Sequence, residues 1–234
     1  MENYIKVNSR EEKVKKLLNK GIKLFKNNKI DEAFKNFDCA LKLDKNHANT
    51  YLIKGEAHLD MNEIEDAKKY IKTYLKFIPN SKKAYLDLIK IYDIEGSFEK
   101  SIYCCNRLIE LDPKNDDFYF KKANFLNMCF NFHASLIYCN MCLSINPNHY
   151  DALCLKGALL FSLDKPKESL NIYSKAIKIN INNAKAYVEK ALVYKNIGNY
   201  RAALKFAKKA YEINPKDEFC KCQYIILKNL CSFY

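Results

Sequence analysis

The sequence has no apolar stretch close to the roughly 18 residues that a helix needs to cross a bilayer, so we expect no membrane span. Its first residues lack the apolar core of a signal peptide, which makes the cytoplasm the expected location. Arginine occurs only at Arg10, Arg107 and Arg201, although the net charge is +13. Because arginine binds bases and phosphates in bidentate fashion, its scarcity argues against nucleic acid as a partner.

The residues of catalysis and metal binding also lack their usual arrangement. No histidine is paired with a nucleophile in the sequence, and there is no glycine-rich phosphate loop. Cys139 and Cys142 form half of a zinc motif, but a second pair at a suitable spacing is missing. The ten cysteines are instead typical of buried free thiols in a reducing compartment. We therefore expect a chain that is not an enzyme, with no cofactor and no metal.

Glycine and proline are rare, with five of each, and most of them recur at one constant spacing, that from Pro79 to Pro113. The proline series consists of Pro79, Pro113, Pro147 and Pro215, with Ile181 at the missing position. A first series of mostly small residues consists of Gly21, Gly55, Ile89, Ala123, Gly157 and Ala191. A second series consists of Ala33, Ala67, Ser101, Ser135, Ser169 and Ala203. Such a fixed period indicates a repeat solenoid.

The period divides most of the chain into six units without insertion or deletion. The units are 14–47, 48–81, 82–115, 116–149, 150–183 and 184–217. Each pattern predicts a helix A of about 14 residues, a short turn and a similar helix B, whose close crossing requires the small residues. Residues 1–13 form an extension containing the start of the first helix, where Ser9 and Glu12 resemble a capping box. Residues 218–234 are predicted to form a capping helix.

The motifs of these units resemble the tetratricopeptide repeat over residues 14–217. The resemblance rests on Tyr51–Gly55, Leu153–Gly157 and Ala40–Asp44, with Leu-Asp-Pro at 111–113 and Ile-Asn-Pro at 145–147 and 213–215. The departures are Ile89 at a small position, Lys45 and Ile181 at proline positions, and Cys105 and Cys139 where a larger apolar residue is common. The resemblance implies an all-α, right-handed superhelical solenoid of six helix pairs plus a C-terminal capping helix.

The resemblance also implies a non-catalytic scaffold or adaptor that binds a peptide segment of another protein in a concave groove lined by helices A. The first stripe of groove positions is Leu18, Leu52, Leu86, Phe120, Cys154 and Val188. The second is Asn19, Ile53, Asp87, Lys121, Leu155 and Glu189. The third is Ile22, Glu56, Lys90, Asn124, Ala158 and Leu192. The alternative is that part of the apolar stripe packs between neighbouring helices.

Charge in this groove is balanced, because its lysines are matched by as many carboxylates, so the positive surplus must lie elsewhere. A groove that holds a polyanion would carry that surplus itself. The clamp by which some relatives hold a chaperone carboxylate is disfavoured, since Leu18 and Ile22 occupy its first-repeat positions.

Two other functions remain open from the sequence. Lysines on the convex surface could bind nucleic acid or an acidic surface. A recurrent series of lysines could either contact an acidic partner or pack along the helices. That series is Lys20, Lys54, Lys122, Lys156 and Lys190. The C-terminal helix has more apolar residues than one covered face requires, including Phe233 and Tyr234. It therefore predicts a homo-oligomer, or a self-assembling structural protein, through Ile226 and Leu230.

Overall fold

The structure, a computed structural model, describes residues 2–232, with side chains from Arg10 onward. These residues form helices and contain no strand. They divide into two compact units, of which unit 1 ends at Leu111 and unit 2 begins at Asp112. Unit 1 contains α1 (Glu2–Lys26), α2 (Ile30–Leu43), α3 (Ala48–Asp60), α4 (Ile64–Phe77), α5 (Lys82–Ile94) and α6 (Phe98–Leu111). Unit 2 contains α7 (Asp116–Met128), α8 (Phe132–Ile145), α9 (Tyr150–Ser162), α10 (Pro166–Ile179), α11 (Ala184–Asn196), α12 (Tyr200–Ile213) and α13 (Glu218–Ser232).

The predicted fold class is confirmed, because the helices form an all-α helical-repeat solenoid with the expected alternation of helices A and B. The odd-numbered helices are helices A. The even-numbered helices B begin one repeat length apart, at Ile30, Ile64, Phe98, Phe132, Pro166 and Tyr200. The predicted start of the first helix at Ser9 is wrong. Helix α1 already begins at Glu2, so Ser9 lies inside a continuous helix and cannot cap it.

Helices A and B of one repeat cross at the first series of small residues. A Cβ atom added to Gly157 would lie 2.7 Å from the ring of Tyr173, and one added to Gly55 would lie 2.7 Å from Cγ1 of Ile71. Both distances are shorter than real side-chain contacts allow. The helix A backbone therefore rests directly on a large side chain of helix B.

The departures from the repeat pattern are explained by the volume of the partner at this crossing. Each position of the first series faces a helix B position at one constant separation along the chain, as Gly157 faces Tyr173. The six pairs are Gly21–Phe37, Gly55–Ile71, Ile89–Cys105, Ala123–Cys139, Gly157–Tyr173 and Ala191–Ala207. Glycine stands opposite the large side chains, and the bulky Ile89 stands opposite the small Cys105. The two cysteines thus compensate for larger residues in helix A.

The second small series is completely buried in helices B. All six residues have no exposed surface. Ser135 and Ser169 donate their hydroxyl hydrogens to the helix A carbonyls of Ala123 and Gly157, at 2.6 and 2.8 Å. These bonds satisfy the buried hydroxyls while keeping the two helices close.

Within the described part of each unit, helices A of successive repeats contact one another, whereas helices B contact only helices A. Helices A are therefore the more closely spaced row, and their exposed sides form what we call the groove face of each unit. Tyrosines of helices A bond to the loop that precedes their helix: Tyr85 and Tyr119 donate to the carbonyls of Pro79 and Pro113, at 3.0 and 3.1 Å.

Helix α13 covers the last repeat, as predicted. Leu227 is fully buried in a cluster with Ala203 and Ala207, and the Tyr224 ring stacks on Tyr211 at 5.4 Å between centroids. Phe233 and Tyr234 lie outside the described residues. Over residues 2–232, no helix has both the length and the apolarity required to cross a membrane.

We call the matching of side-chain volumes at the helix crossing the volume rule. It predicts that the Gly157→Ala substitution will destabilise the protein by about 1–3 kcal/mol, because the added Cβ overlaps the Tyr173 ring. In a Tyr173→Cys background the same substitution should cost much less, since alanine and cysteine already form this pair at Ala123 and Cys139. Urea denaturation of the four proteins of this double-mutant cycle measures the coupling. Strictly additive losses would contradict the rule.

Candidate functional site

The first predicted stripe is mostly used for packing. Leu18, Leu52, Cys154 and Val188 are buried, with at most 8% of their surface exposed. Only Leu86 and Phe120 are half-buried, and the Phe120 ring also contacts the His149 ring at 4.8 Å. The more accessible part of this stripe is therefore limited to one residue in each unit, Leu86 and Phe120.

The second and third stripes form most of the groove face. Asn19, Lys90 and Asn124 are exposed, whereas Asp87 is buried. The half-buried members are Ile22, Ile53, Glu56, Lys121, Leu155, Ala158, Glu189 and Leu192. A ligand on the groove face would contact mainly these two stripes.

A cavity of about 300 Å³ lies on the groove face of unit 1, between α1 and α3. Its apolar lining comes from Ile22, Phe25, Phe37, Ile53 and Ala57, and its charged lining from Lys26, Glu56 and Asp60. The predicted stripes included Ile22, Ile53 and Glu56. They missed Phe25, which lies one helical turn beyond Ile22 and carries the same apolar signal.

A second cavity of about 580 Å³ lies on unit 2, between the start of α11 and α13. Its lining includes Val188 and Glu189 from the predicted stripes, together with Phe219 of α13. Asparagines contribute much of the remaining lining, at positions 180, 182, 183 and 214. Burial raises the pKa of the Glu189 carboxyl, and the nearby Lys185 ammonium only partly opposes this effect. The cavity thus contains a carboxyl group that is short of favourable partners.

Helix α13 continues the groove face, which sequence reasoning missed. Glu218 lies one repeat length after Ala184, so α13 has the register of a helix A. Ile226 then corresponds to Leu192 of the third stripe, and Ile225 corresponds to Ala191 at the crossing with a helix B. Ile226 is exposed and Leu230 is half-buried. Of the predicted self-association residues, Ile226 therefore shares a register with the groove face, whereas Leu230 packs against the buried cluster of Ala203 and Leu227.

The repeats match a known family at both ends of the chain. Tetratricopeptide repeat profiles match residues 150–183 and 184–217, and a further profile with the same description matches residues 24–92. The chain belongs to the tetratricopeptide repeat family. Repeats of this family are protein–protein interaction scaffolds and are typically not catalytic.

Curated relatives of this tetratricopeptide repeat chain are much longer proteins. RANBP2-like and GRIP domain-containing protein 8 of Homo sapiens is 35% identical over 69 residues, which are 30% of this chain and 4% of that protein. E3 SUMO-protein ligase RanBP2 of Homo sapiens is 33% identical over 69 residues, 30% of this chain and 2% of that protein. The matched segment is thus a small part of these relatives.

Solved tetratricopeptide repeat structures share the fold at low sequence identity. A crystal structure of the MamA protein has a TM-score of 0.65 and 23% identity, covering 73% of this chain and 93% of that one. YrrB, described as a TPR protein with an unusual peptide-binding site, has a TM-score of 0.63 and 19% identity, covering 79% and 95%.

Charged residues on the groove face of these repeats are largely paired with one another. Lys83 contacts Glu56 at 2.5 Å, and Lys90 contacts the buried Asp87 at 2.9 Å. In unit 2, Lys185 lies 3.5 Å from Asp151. This pairing leaves no concentration of positive charge on the described part of either groove face.

The lysine series mostly serves packing in alternate repeats. Lys54, Lys122 and Lys190 are buried, and their ammonium groups lie over the rings of Tyr70, Tyr138 and Phe206 at 4.6, 3.6 and 4.4 Å. Each aromatic residue follows its lysine by the same number of residues. At the same separation after Lys20 and Lys156, the sequence has Asn36 and Ile172, which have no aromatic ring. The buried lysines are thus cation–π partners inside the repeat rather than a surface for an acidic partner.

In the described residues, the histidine of each group of potential metal ligands already bonds to a protein partner through a ring nitrogen. In the group of Asp116, Cys142 and His149, the His149 Nδ1 atom accepts the Ala152 N–H at 3.1 Å. The other ring nitrogen of His149 lies 3.2 Å from the Asp117 carboxylate. Burial raises the pKa of Cys142 to about 12, so its thiol remains protonated.

The other group contains His58, Glu63 and Asp66. There Nδ1 of His58 bonds to Glu63 at 2.6 Å, and the ring stacks on Tyr70 at 5.1 Å. His58 is accordingly held as a packing residue. Cys139 is similar, since its thiol donates to the Ala152 carbonyl at 3.0 Å and burial raises its pKa to about 12.

The raised pKa of Glu189 predicts that its ionised form destabilises the fold. Because the folded protein holds this proton more tightly than the unfolded chain, stability should fall as pH rises from 4.5 through the raised pKa. Glu189→Gln should therefore increase the melting temperature at pH 7 and reduce its decline between pH 4 and pH 7. Thermal melts of both proteins over this pH range test the prediction, and a lower melting temperature for the variant at pH 7 would contradict it.

Proposed function

We propose that the chain is a non-catalytic scaffold or adaptor that binds a peptide segment of a partner protein on its groove faces. The single observation that carries the proposal is the cavity of unit 1, which combines an apolar floor with charged residues at its edge. This is the composition of a pocket that accepts one apolar side chain of a peptide and fixes its orientation.

The charges around this cavity support a peptide rather than a polyanion. Glu56 is already paired with Lys83, whereas Lys26 and Asp60 make no ion pair among the described residues. One free ammonium and one free carboxylate suit the amide dipoles and mixed charges of a polypeptide. A phosphate chain would meet the repulsion of Asp60 and Glu56 instead.

The cavity of unit 2 supports a cationic or hydrogen-bond-donating group in the bound segment. Glu189 is largely desolvated, so an incoming lysine, arginine or peptide N–H would gain a carboxylate partner that the protein itself supplies poorly. The half-exposed Phe219 ring offers an apolar contact beside it. YrrB, which shares the fold, is described as having a peptide-binding site, although that description applies to YrrB alone.

A peptide library displayed on phage and selected on the immobilised chain tests the proposal. Enriched peptides are synthesised with a fluorescent label, and their dissociation constants are measured by anisotropy. Ile53→Gln or Phe219→Ala should weaken binding by at least about tenfold, because apolar anchors contribute most of the affinity in such sites. The control replaces the exposed helix B lysines Lys69 and Lys205 with glutamate and should leave binding unchanged.

Two results would contradict peptide binding on the groove faces. One is the absence of any enriched peptide that binds the free chain in solution. The other is loss of binding in the lysine variant with normal binding in both groove variants. That second result, together with a steep loss of affinity with added salt, would favour the alternative of an acidic surface or nucleic acid on the convex lysines.

A further inference from the structure

Helix α8 differs from the other helices B because it contains no Asp, Glu, Lys or Arg. Each of the other five contains several of them. Since the repeats share one register, they serve as an internal alignment of what each surface position normally holds. Helix B of the fourth repeat therefore lacks the charged residues that the other five helices B carry.

The loss is concentrated on the exposed side of the helix. Ile137, Met141 and Ile145 are spaced about one helical turn apart and are 59%, 44% and 40% exposed. The position of Ile145 is apolar in every repeat, so the departure from the other helices B concerns Ile137 and Met141. We call these three residues the α8 stripe. At the register of Ile137 the other repeats have Lys35, Lys69, Tyr103, Asn171 and Lys205. At the register of Met141 they have Cys39, Thr73, Arg107, Lys175 and Lys209.

The turn before α8 shows a related departure. In every repeat the residue at this position of the turn has a positive φ, and the six residues are Asn28, Asn62, Gly96, Phe130, Asp164 and Gly198. Asparagine, aspartate and glycine tolerate this conformation, whereas phenylalanine, with its bulky ring, is disfavoured there. Phe130 has φ of 58° and is 79% exposed, so burial within the chain does not offset the cost.

The absence of lysine from the α8 stripe indicates which kind of partner this surface binds. An acidic partner would be attracted by lysines, so their loss would weaken its binding. A basic partner is repelled by lysines, and this chain itself has a net charge of +13. The repulsion between two copies is weakest where neither presents lysine. A two-fold contact is also self-complementary, because the same apolar stripe is presented by both copies.

We infer that the α8 stripe, extended by Phe130, is the surface through which two copies of this chain associate, with their α8 helices packed against each other. The apolar contact opposes the mutual repulsion of two basic molecules. Added salt screens that repulsion, so the dimer should become tighter with increasing salt, in contrast to the binding of a polyanion.

Sedimentation velocity over a range of concentrations tests this inference on the intact chain. The wild type should show a monomer–dimer equilibrium that shifts toward dimer with salt. Ile137→Lys with Met141→Lys, which copies Lys205 and Lys209 of the sixth repeat, should raise the dimer dissociation constant by at least about tenfold. Ile137→Asn with Met141→Lys copies the fifth repeat and provides a second variant if the first folds poorly, as judged by circular dichroism.

The matched controls lie on α13, where Ile225 and Ile226 are about as exposed as Met141. Ile225→Lys and Ile226→Lys should leave the dimer unchanged. A wild type that stays monomeric at all concentrations would overturn the inference. So would a dimer that survives both α8 variants, and if Ile226→Lys then abolished it, association through the C-terminal helix would replace association through α8.

Discussion

The crossing of helix A over helix B is the contact on which the rest of the structure depends. At this point the two backbones can approach only as closely as one pair of side chains permits, and that pair varies in a compensating manner. Gly157 lies against Tyr173, whereas Ile89 stands opposite Cys105. Because the summed volume is limited by close packing, each repeat keeps nearly the same geometry despite a different sequence. Within each unit, a constant repeat geometry in turn aligns the exposed sides of helices A into a groove face.

The sequence predicted most accurately those features that depend on constraints within a single repeat. The small residues and the prolines placed each helix B in the correct register. Close contact between two helices requires a small residue, and the end of a helix favours proline, so both can be read from residue type. The start of α1 was missed, since a capping box at Ser9 is a weak local signal that a longer helix overrides. The groove stripes were predicted less well. Whether Leu18 or Leu52 is exposed depends on the helix of the following repeat, which periodicity within one helix does not encode.

The distribution of charge follows from the same packing. A net charge of +13 suggests a surface for acidic partners, yet three of the lysines in the recurrent series are buried over aromatic rings. Their environments differ. Burial lowers the pKa of Lys54, but hydrogen bonds to Asp38 and Tyr70 outweigh this effect and raise it overall. For Lys190, burial lowers the pKa. Formal charge is therefore a poor guide to the surface of a repeat protein in which lysine serves as a packing residue.

Some unusual residues of the repeats are compensated by another residue of the chain, and others are not. Ile89 is matched by Cys105, so that departure is a matter of internal packing and needs no partner. Phe130 has no such match, since its ring is exposed on a disfavoured backbone. Glu189 occupies a position that varies among the repeats, but it is likewise a desolvated carboxyl that its neighbours stabilise only in part. A cost that is not recovered within the fold must be recovered in a complex or be retained as a loss of stability. Residues of this second kind are therefore the first places to look for bound partners in a helical repeat.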